Sequence, residues 1–247
     1  EGIYFYNFTT PEFNVNICQL PFWALTTFYF WKSINEKKIK NWILFGIFAS
    51  LGFLSKYLFF YLLVSIGLFF SYYTYKEKKI DYKIIISILI FLTILSPHLF
   101  WLYENNYSTI TYALKRTGAD SKQIIDHLIY PSIFLFKQIV ILIPFIAMCS
   151  IIVKRFKIKI NLKDKKLLFL IFVNLVPIFL IFLTSLVLGG KIRTMWMTPF
   201  YIFFGILIIY IYEAKINFMN IKKFLFLFLF LFLLSPSLYL YISLKNK

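Results

Sequence analysis

The chain alternates long apolar runs with short polar segments. Runs of this kind are typical of membrane-spanning helices, which need about 20 apolar residues each. The shorter runs would extend into flanking Tyr, Trp and Lys residues at the membrane interface. The pattern predicts an all-α, polytopic integral membrane protein with about eight transmembrane helices. The predicted spans are Ile17–Trp31, Trp42–Ser55, Tyr57–Thr74, Ile84–Pro97, Pro131–Val153, Leu167–Leu188, Pro199–Tyr212 and Phe224–Ile242.

The stretch Trp42–Tyr75 is interrupted by one charge, that of Lys56. A single helix of this length would be about 51 Å long, whereas the hydrocarbon core is about 30 Å thick. Lys-rich segments lie on both sides of the stretch, and such segments are typical of cytoplasmic loops. We therefore expect the stretch to cross the membrane twice, with Ser55-Lys56-Tyr57 at the outer turn.

The basic residues give the whole chain an orientation. Of the 27 Lys and Arg residues, 18 lie in four predicted cytoplasmic loops, Lys32–Lys40, Lys76–Lys83, Lys154–Lys166 and Lys215–Lys223. Residues 1–16 contain two Glu and no Lys or Arg, so they are predicted to be an outer-face tail or loop. Residues 17–242 then form the membrane domain, with outer loops at about 98–130 and 189–198, and 243–247 form a C-terminal tail.

Composition excludes several other classes. The chain is 61% hydrophobic, against roughly 45–50% for soluble domains. Its net charge of +17 suggests nucleic acid, but few of the cations are Arg and they sit in short bursts between spans, so we expect no nucleic-acid partner. Cys18 and Cys149 are far apart, and with two His and ten acidic residues the sequence predicts neither a metal site nor a cofactor.

The longer outer loop, 98–130, is predicted to contain a short interfacial helix. Ser108 can cap it and Gly118 can end it, and its apolar positions and C-terminal cations are typical of an amphipathic helix on the membrane surface. A second helix is predicted to begin at Asp120 or Ser121.

A few cations fall outside the cytoplasmic loops. Lys56 lies in an apolar context, where an ionisable residue is costly and is a functional candidate. Alternatively, Lys56 marks the turn and extends its ammonium to lipid phosphate. Lys191 and Arg193 flank Trp196 in the shorter outer loop and could grip an anionic headgroup, or could serve as an interfacial anchor.

The longer outer loop also has a polar core, in which a carboxylate and an amide beside an indole can hold sugar hydroxyls and a ring face. The same residues are also common as plain loop decoration. His98 and His127 are predicted to be hydrogen-bonded interface residues rather than ligands. The polar core comprises Trp101, Glu104, Asn105 and Arg116.

Four patterns in the sequence resemble those of a known family. Asn41–Gly46, followed by Ser50–Tyr57, is similar to a signature of the polyprenyl-phosphate-sugar glycosyltransferases, the GT-C membrane enzymes related to protein O-mannosyltransferases and to the aminoarabinose transferase of lipid A. Further segments resemble their counterparts in that family across most of the chain. These are Pro11–Asn14 with Gln19–Trp23, Ser96–Asn105 with its spaced Pro, Trp and Asn, and Arg193–Trp196 before Pro199.

The resemblance implies an inverting transfer of a sugar from a polyprenyl-phosphate carrier to a lipid, glycan or protein acceptor. It implies a bacterial inner membrane, with the site facing the periplasm. Cations would neutralise the leaving phosphate, and we expect these to be Lys56, Lys191 and Arg193. Residues expected to shape the sugar or acceptor pocket are Trp101, Glu104, Asn105, Arg116, Trp196, Glu12 and Asn14.

Two departures from the family stand out. Asn16 occupies a position where the family often has Asp, and an amide cannot act as a base. The family's catalytic Asp lies in the first outer loop, so we expect the base upstream of residue 1. Two other functions stay open: a transporter or flippase for a lipid-linked sugar, and a non-catalytic membrane scaffold. A transporter would be expected to show internal repeats and polar residues at mid-membrane.

Overall fold

The computed structural model of the protein describes residues 13–117, 123–153, 160–212 and 218–245. Within these ranges the chain forms helices and connecting loops, with no strand, which confirms the all-α prediction. Two 3-10 helices, Tyr57–Phe59 and Thr194–Tyr201, precede α3 and α8. The α-helices are α1 (Val15–Glu36), α2 (Ile39–Ser55), α3 (Phe60–Glu77), α4 (Ile84–Glu104), α5 (Ser108–Arg116), α6 (Asp126–Ile152), α7 (Lys165–Leu188), α8 (Phe204–Tyr212) and α9 (Phe218–Lys245).

Five helical segments of the described chain are long and apolar enough to cross a membrane. They are α3 with its preceding 3-10 turn, α4, α6, α7 and the Asn220–Lys245 part of α9. The 3-10 helix Thr194–Tyr201 and α8 meet at 51° and together can form a sixth span. Every predicted span falls on a helical element, but α2 has 17 residues and α1 buries polar side chains along its length. The count of eight therefore stays a prediction.

The long apolar stretch is divided at Lys56. Its extended backbone, with φ −168° and ψ 134°, ends α2 and starts the 3-10 turn. The chain then reverses, because Phe30 of α1 contacts both Phe45 in the first half of α2 and Phe70 in the second half of α3, with ring centroids 5.3 and 6.2 Å away. The predicted break at Ser55-Lys56-Tyr57 is confirmed.

Helices α2 and α4 approach closely at Gly46. A Cβ at this position would lie 2.7 Å from the carbonyl oxygen of Ser87, too close for any larger residue. Ser87 Oγ donates a hydrogen bond of 2.6 Å to the carbonyl oxygen of Trp42 on α2. Small residues that let backbones meet, reinforced by a hydroxyl, are typical of helix contacts in membranes.

Aromatic side chains fill the centre of the bundle. Phe30 is fully buried and stacks on Phe169 of α7 at 5.8 Å between centroids. Ser65 of α3 donates a 2.6 Å hydrogen bond to the carbonyl oxygen of Phe172, which ties α3 to α7. These contacts fix the relative positions of α1, α3 and α7, and so of the loops at their ends.

Hydrogen bonds between separate parts of the chain mark the two ends of the bundle. At one end, called here the Lys56 end, Tyr61 of α3 donates a 2.8 Å hydrogen bond to Thr184 near the end of α7. At the other, the Lys83 end, Lys83 Nζ donates a 2.7 Å hydrogen bond to the carbonyl oxygen of Lys37. The segments 32–40 and 76–83, predicted to be cytoplasmic, both lie at the Lys83 end.

The predicted outer loop 98–130 contains more helix than expected. Helix α4 continues through His98 to Glu104, and α6 begins at Asp126. The short helix is confirmed as α5, and all of its residues are at least partly accessible. The prediction that Ser108 caps it is wrong, because Tyr107, at φ 55°, takes the N-cap position without a side-chain bond. Gly118, Asp120 and Ser121 lie outside the described residues.

Candidate functional site

Three separate parts of the chain meet at Lys56. Its ammonium donates a hydrogen bond to Oδ1 of Asn16, near the start of α1. The same Nζ lies 5.1 Å from the ring centroid of Trp196, in the 3-10 helix before α8. Gln19 Nε2 donates a 2.9 Å hydrogen bond to the carbonyl oxygen of Lys56 and holds the backbone break in place. The ammonium is thus half-buried between an amide and an indole.

The surroundings of Lys56 are positive. Lys56 belongs to neither α2 nor α3. Burial and, to a smaller extent, the Arg116 guanidinium together lower the pKa of its side chain to about 7. The ion pairs found among the described side chains, Lys32–Glu36 and Lys38–Glu36, lie at the opposite end of the bundle. Cations gathered in this way favour an anionic ligand.

The two predicted outer loops are joined by their backbones. The N–H of Lys191 donates a 3.0 Å hydrogen bond to the carbonyl oxygen of Thr117, the residue after Arg116. Arg116 itself donates a 3.0 Å hydrogen bond to the hydroxyl of Tyr112 within α5. Lys191 and Arg193 are exposed at the same end of the bundle. Both outer loops therefore supply cations at the Lys56 end.

The aromatic and amide residues at the end of α4 make different kinds of contact. The exposed ring of Trp101 stacks on His98, with centroids 5.8 Å apart and planes at 16°. Asn105 donates a 2.8 Å hydrogen bond from Nδ2 to the carbonyl oxygen of Trp101, which satisfies a backbone group at the end of the helix. Glu104 is exposed. Asn105 thus has a structural task that the sequence had not suggested.

Tyr57 connects α4 and α5 beside Lys56. Its hydroxyl is hydrogen-bonded to His98 Nε2 at 2.7 Å and to Thr109 Oγ1 at 2.8 Å. His127 Nδ1 lies 2.9 Å from the carbonyl oxygen of Leu186, so both histidines are hydrogen-bonded, as predicted. The sequence had singled out neither Tyr57 nor Thr109 as site residues. Their partners are distant along the chain, so no spacing could have revealed them.

The start of α1 completes this end. Asn14 caps the helix, its Oδ1 accepting a 2.9 Å hydrogen bond from the N–H of Asn16. Asn16, noted in the sequence only as a departure from the family, directly contacts Lys56. Glu12 lies outside the described residues. Within the part of the chain that the structure describes, no group of three His, Cys, Asp or Glu side chains could hold a metal ion.

These features define an integral membrane protein with a cationic site at one end of a helical bundle. Residues 1–101 match the family model described as dolichyl-phosphate-mannose-protein mannosyltransferase, which confirms the resemblance predicted from the sequence. The matched part includes Asn16, Lys56 and Trp101, whereas Arg116 and Trp196 lie beyond it. The match supports a membrane glycosyltransferase of the GT-C type. No curated protein and no solved structure matches the chain.

Proposed function

We propose that the protein transfers a sugar from a polyprenyl-phosphate carrier to an acceptor hydroxyl, with inversion, at the outer (periplasmic) face of a bacterial inner membrane. The observation that carries this proposal is the position of Lys56. Its ammonium is held at the break between α2 and α3, within the segment that matches the glycosyltransferase family. A fixed, half-buried cation is suited to a phosphate leaving group.

In the proposed reaction the acceptor oxygen attacks the anomeric carbon of the sugar and gives up its proton to a carboxylate base. The bond between this carbon and the phosphate oxygen breaks, and the polyprenyl phosphate leaves with the electron pair. Charge develops on the departing oxygen, so a cation fixed beside it stabilises the transition state more than the ground state. We assign this role to Lys56, with Arg116 adding positive potential.

The remaining candidates take supporting roles in this proposal. Lys191 and Arg193, exposed on the neighbouring loop, would attract the phosphate group and orient it. Trp196 lies beneath the Lys56 ammonium and limits its motion. Trp101 and Glu104, exposed beside this end of the bundle, are suited to contact the sugar or the acceptor.

The test is sugar transfer by the full-length protein in nanodiscs, from a radiolabelled polyprenyl-phosphate sugar. We expect Lys56→Gln to lower kcat/KM by about 100-fold or more, and Lys56→Arg to retain much of it, because one fixed donor to a developing oxyanion contributes about that much. Arg193→Gln should raise the donor KM by about tenfold. The matched control is Lys137→Gln, which removes an exposed lysine from the middle of α6.

Unchanged transfer by the Lys56→Gln protein would contradict the site assignment. If the wild-type protein transferred sugar from no such donor, yet moved the lipid-linked sugar between the leaflets of a vesicle, the transporter function would replace the one proposed.

A further inference from the structure

An apolar groove of about 390 Å³ opens between α1, α7 and α8, near the Lys83 end. Its side chains Phe28 and Ile206 are 52% and 53% exposed, so the groove faces outward from the bundle. In a spanning orientation this surface is covered by lipid. The apolar walls of the groove are Phe28, Trp31, Phe169, Leu170, Phe203 and Ile206.

Both hydroxyl groups that line the groove donate hydrogen bonds to other groups of the protein. Thr27 donates a 2.9 Å hydrogen bond to the carbonyl oxygen of Trp23 in its own helix. Tyr210 donates a 2.5 Å hydrogen bond to the carboxylate of Asp164, which caps the start of α7. Lys166 is exposed and provides the one ionised side chain in this lining, as far as the structure describes it. The groove is therefore apolar inside and positive at its edge.

Two more lysines stand beside the groove. Lys32 Nζ lies 5.4 Å from the ring centroid of Phe28 and pairs with Glu36 at 3.3 Å. Lys165 Nζ lies 5.4 Å from the ring centroid of Trp31. Together with Lys166, these make three cations beside two carboxylates, those of Glu36 and Asp164. These five side chains carry a net charge of +1, so a positive potential remains at the mouth.

We propose that this groove holds an acyl chain of an anionic phospholipid whose headgroup phosphate binds Lys166, with Lys32 and Lys165 adding positive potential. Burial of the chain in the groove gives affinity, and the cations select an anionic headgroup over a zwitterionic one. The lipid site is separate from the Lys56 site. Trp31 and Asn16 lie on the same helix about 22 Å apart, at 1.5 Å per residue. The inference is thus independent of the proposed sugar transfer.

The test is thermal unfolding of the purified full-length protein in detergent, with added phosphatidylglycerol or with phosphatidylcholine of the same chain composition. A ligand that binds only the folded state raises Tm, so we expect phosphatidylglycerol to raise it by about 3 °C more than phosphatidylcholine does. Lys166→Gln should remove most of this difference. Lys163→Gln, which removes an exposed lysine just before the start of α7 and outside the groove, should retain it.

A second variant tests the groove without changing its charge. Ile206→Trp places a larger side chain at the half-exposed wall and should abolish the response to phosphatidylglycerol. Equal responses of the wild-type protein to both lipids, or an unchanged response after Lys166→Gln, would overturn the proposal. Displacement of bound phosphatidylglycerol by an equimolar amount of polyprenyl phosphate would also overturn it, because the groove would then hold the isoprenoid chain.

Discussion

The ammonium of Lys56 donates a hydrogen bond to Oδ1 of Asn16, forty residues earlier in the chain. Asn16 is buried and sits in the first turn of α1, so the amide cannot move far from the cation. The contact joins the start of one helix to the break between two others. This hydrogen bond therefore fixes the direction in which the Lys56 ammonium points.

Asn16→Ala should therefore misplace Lys56. We expect the donor KM to rise by about tenfold, with a smaller effect on kcat, because a lost hydrogen bond to a charged group contributes about 1.5–3 kcal/mol. Steady-state transfer kinetics would measure this. The matched control is Asn35→Ala, which removes an α1 amide that accepts a 3.0 Å hydrogen bond from Lys165 at the other end. Equal donor KM values in the two variants would contradict the positioning role.

The activity should also depend on pH through Lys56. Burial and Arg116 lower the pKa of Lys56 to about 7, so its positive charge is present below pH 7 and is lost as the pH rises through that value. We expect kcat/KM for the donor, which reports groups of the free enzyme, to fall above about pH 7. Lys56→Arg keeps its charge across this range and should lose that step in the profile. If kcat/KM of the Lys56→Arg protein still fell above about pH 7, the titrating group would be a residue other than Lys56.

The α2–α4 crossing should tolerate no side chain at Gly46. Gly46→Ala would force its Cβ against the carbonyl oxygen of Ser87, 2.7 Å away, and should lower the free energy of unfolding by about 1–3 kcal/mol. Gly67→Ala is the control, since a Cβ there meets nothing within 4 Å. Its effect should be neutral or stabilising by up to about 1 kcal/mol. Thermal unfolding of the two proteins would show whether the difference exists.

Tyr57 should hold α5 against the bundle. Tyr57→Phe removes the hydrogen bonds to His98 and Thr109, each worth about 1 kcal/mol, so the amides of residues 108–116 should exchange with solvent at least about fivefold faster. Hydrogen–deuterium exchange by mass spectrometry measures this directly. Tyr103→Phe, an exposed tyrosine of α4, should leave the exchange unchanged. Equal exchange in both variants would show that α5 is held by other contacts.

Several features of the fold followed from local properties of the sequence. The division at Lys56 follows from the length of the apolar stretch, since one helix of that length does not fit a bilayer. The short helix α5 was predicted from its amphipathic pattern, although its cap was assigned to the wrong residue. The limits of α4 were missed, because the predicted span ended at Pro97, whereas the helix continues through this proline and the largely apolar segment His98–Glu104.

The site could be predicted only in part. Lys56 was singled out because an isolated charge in an apolar stretch is costly, and Arg116 and Trp196 were named for separate reasons. Their convergence on one ammonium was not predictable, and neither was the contact with Asn16. Gln19 and Tyr57 gave no signal, because each binds a partner that lies about forty residues away.

The sequence by itself determined that this is a helical membrane protein, where its long stretch breaks, and which cations are out of place. These properties depend on hydrophobicity and charge along the chain, which act over a helical turn or over the thickness of a bilayer. The tertiary structure decided which residues meet at Lys56 and which side chains line the groove beside Lys166. Those contacts depend on how helices pack side by side, and packing depends on the shapes of surfaces that are assembled only in the folded protein.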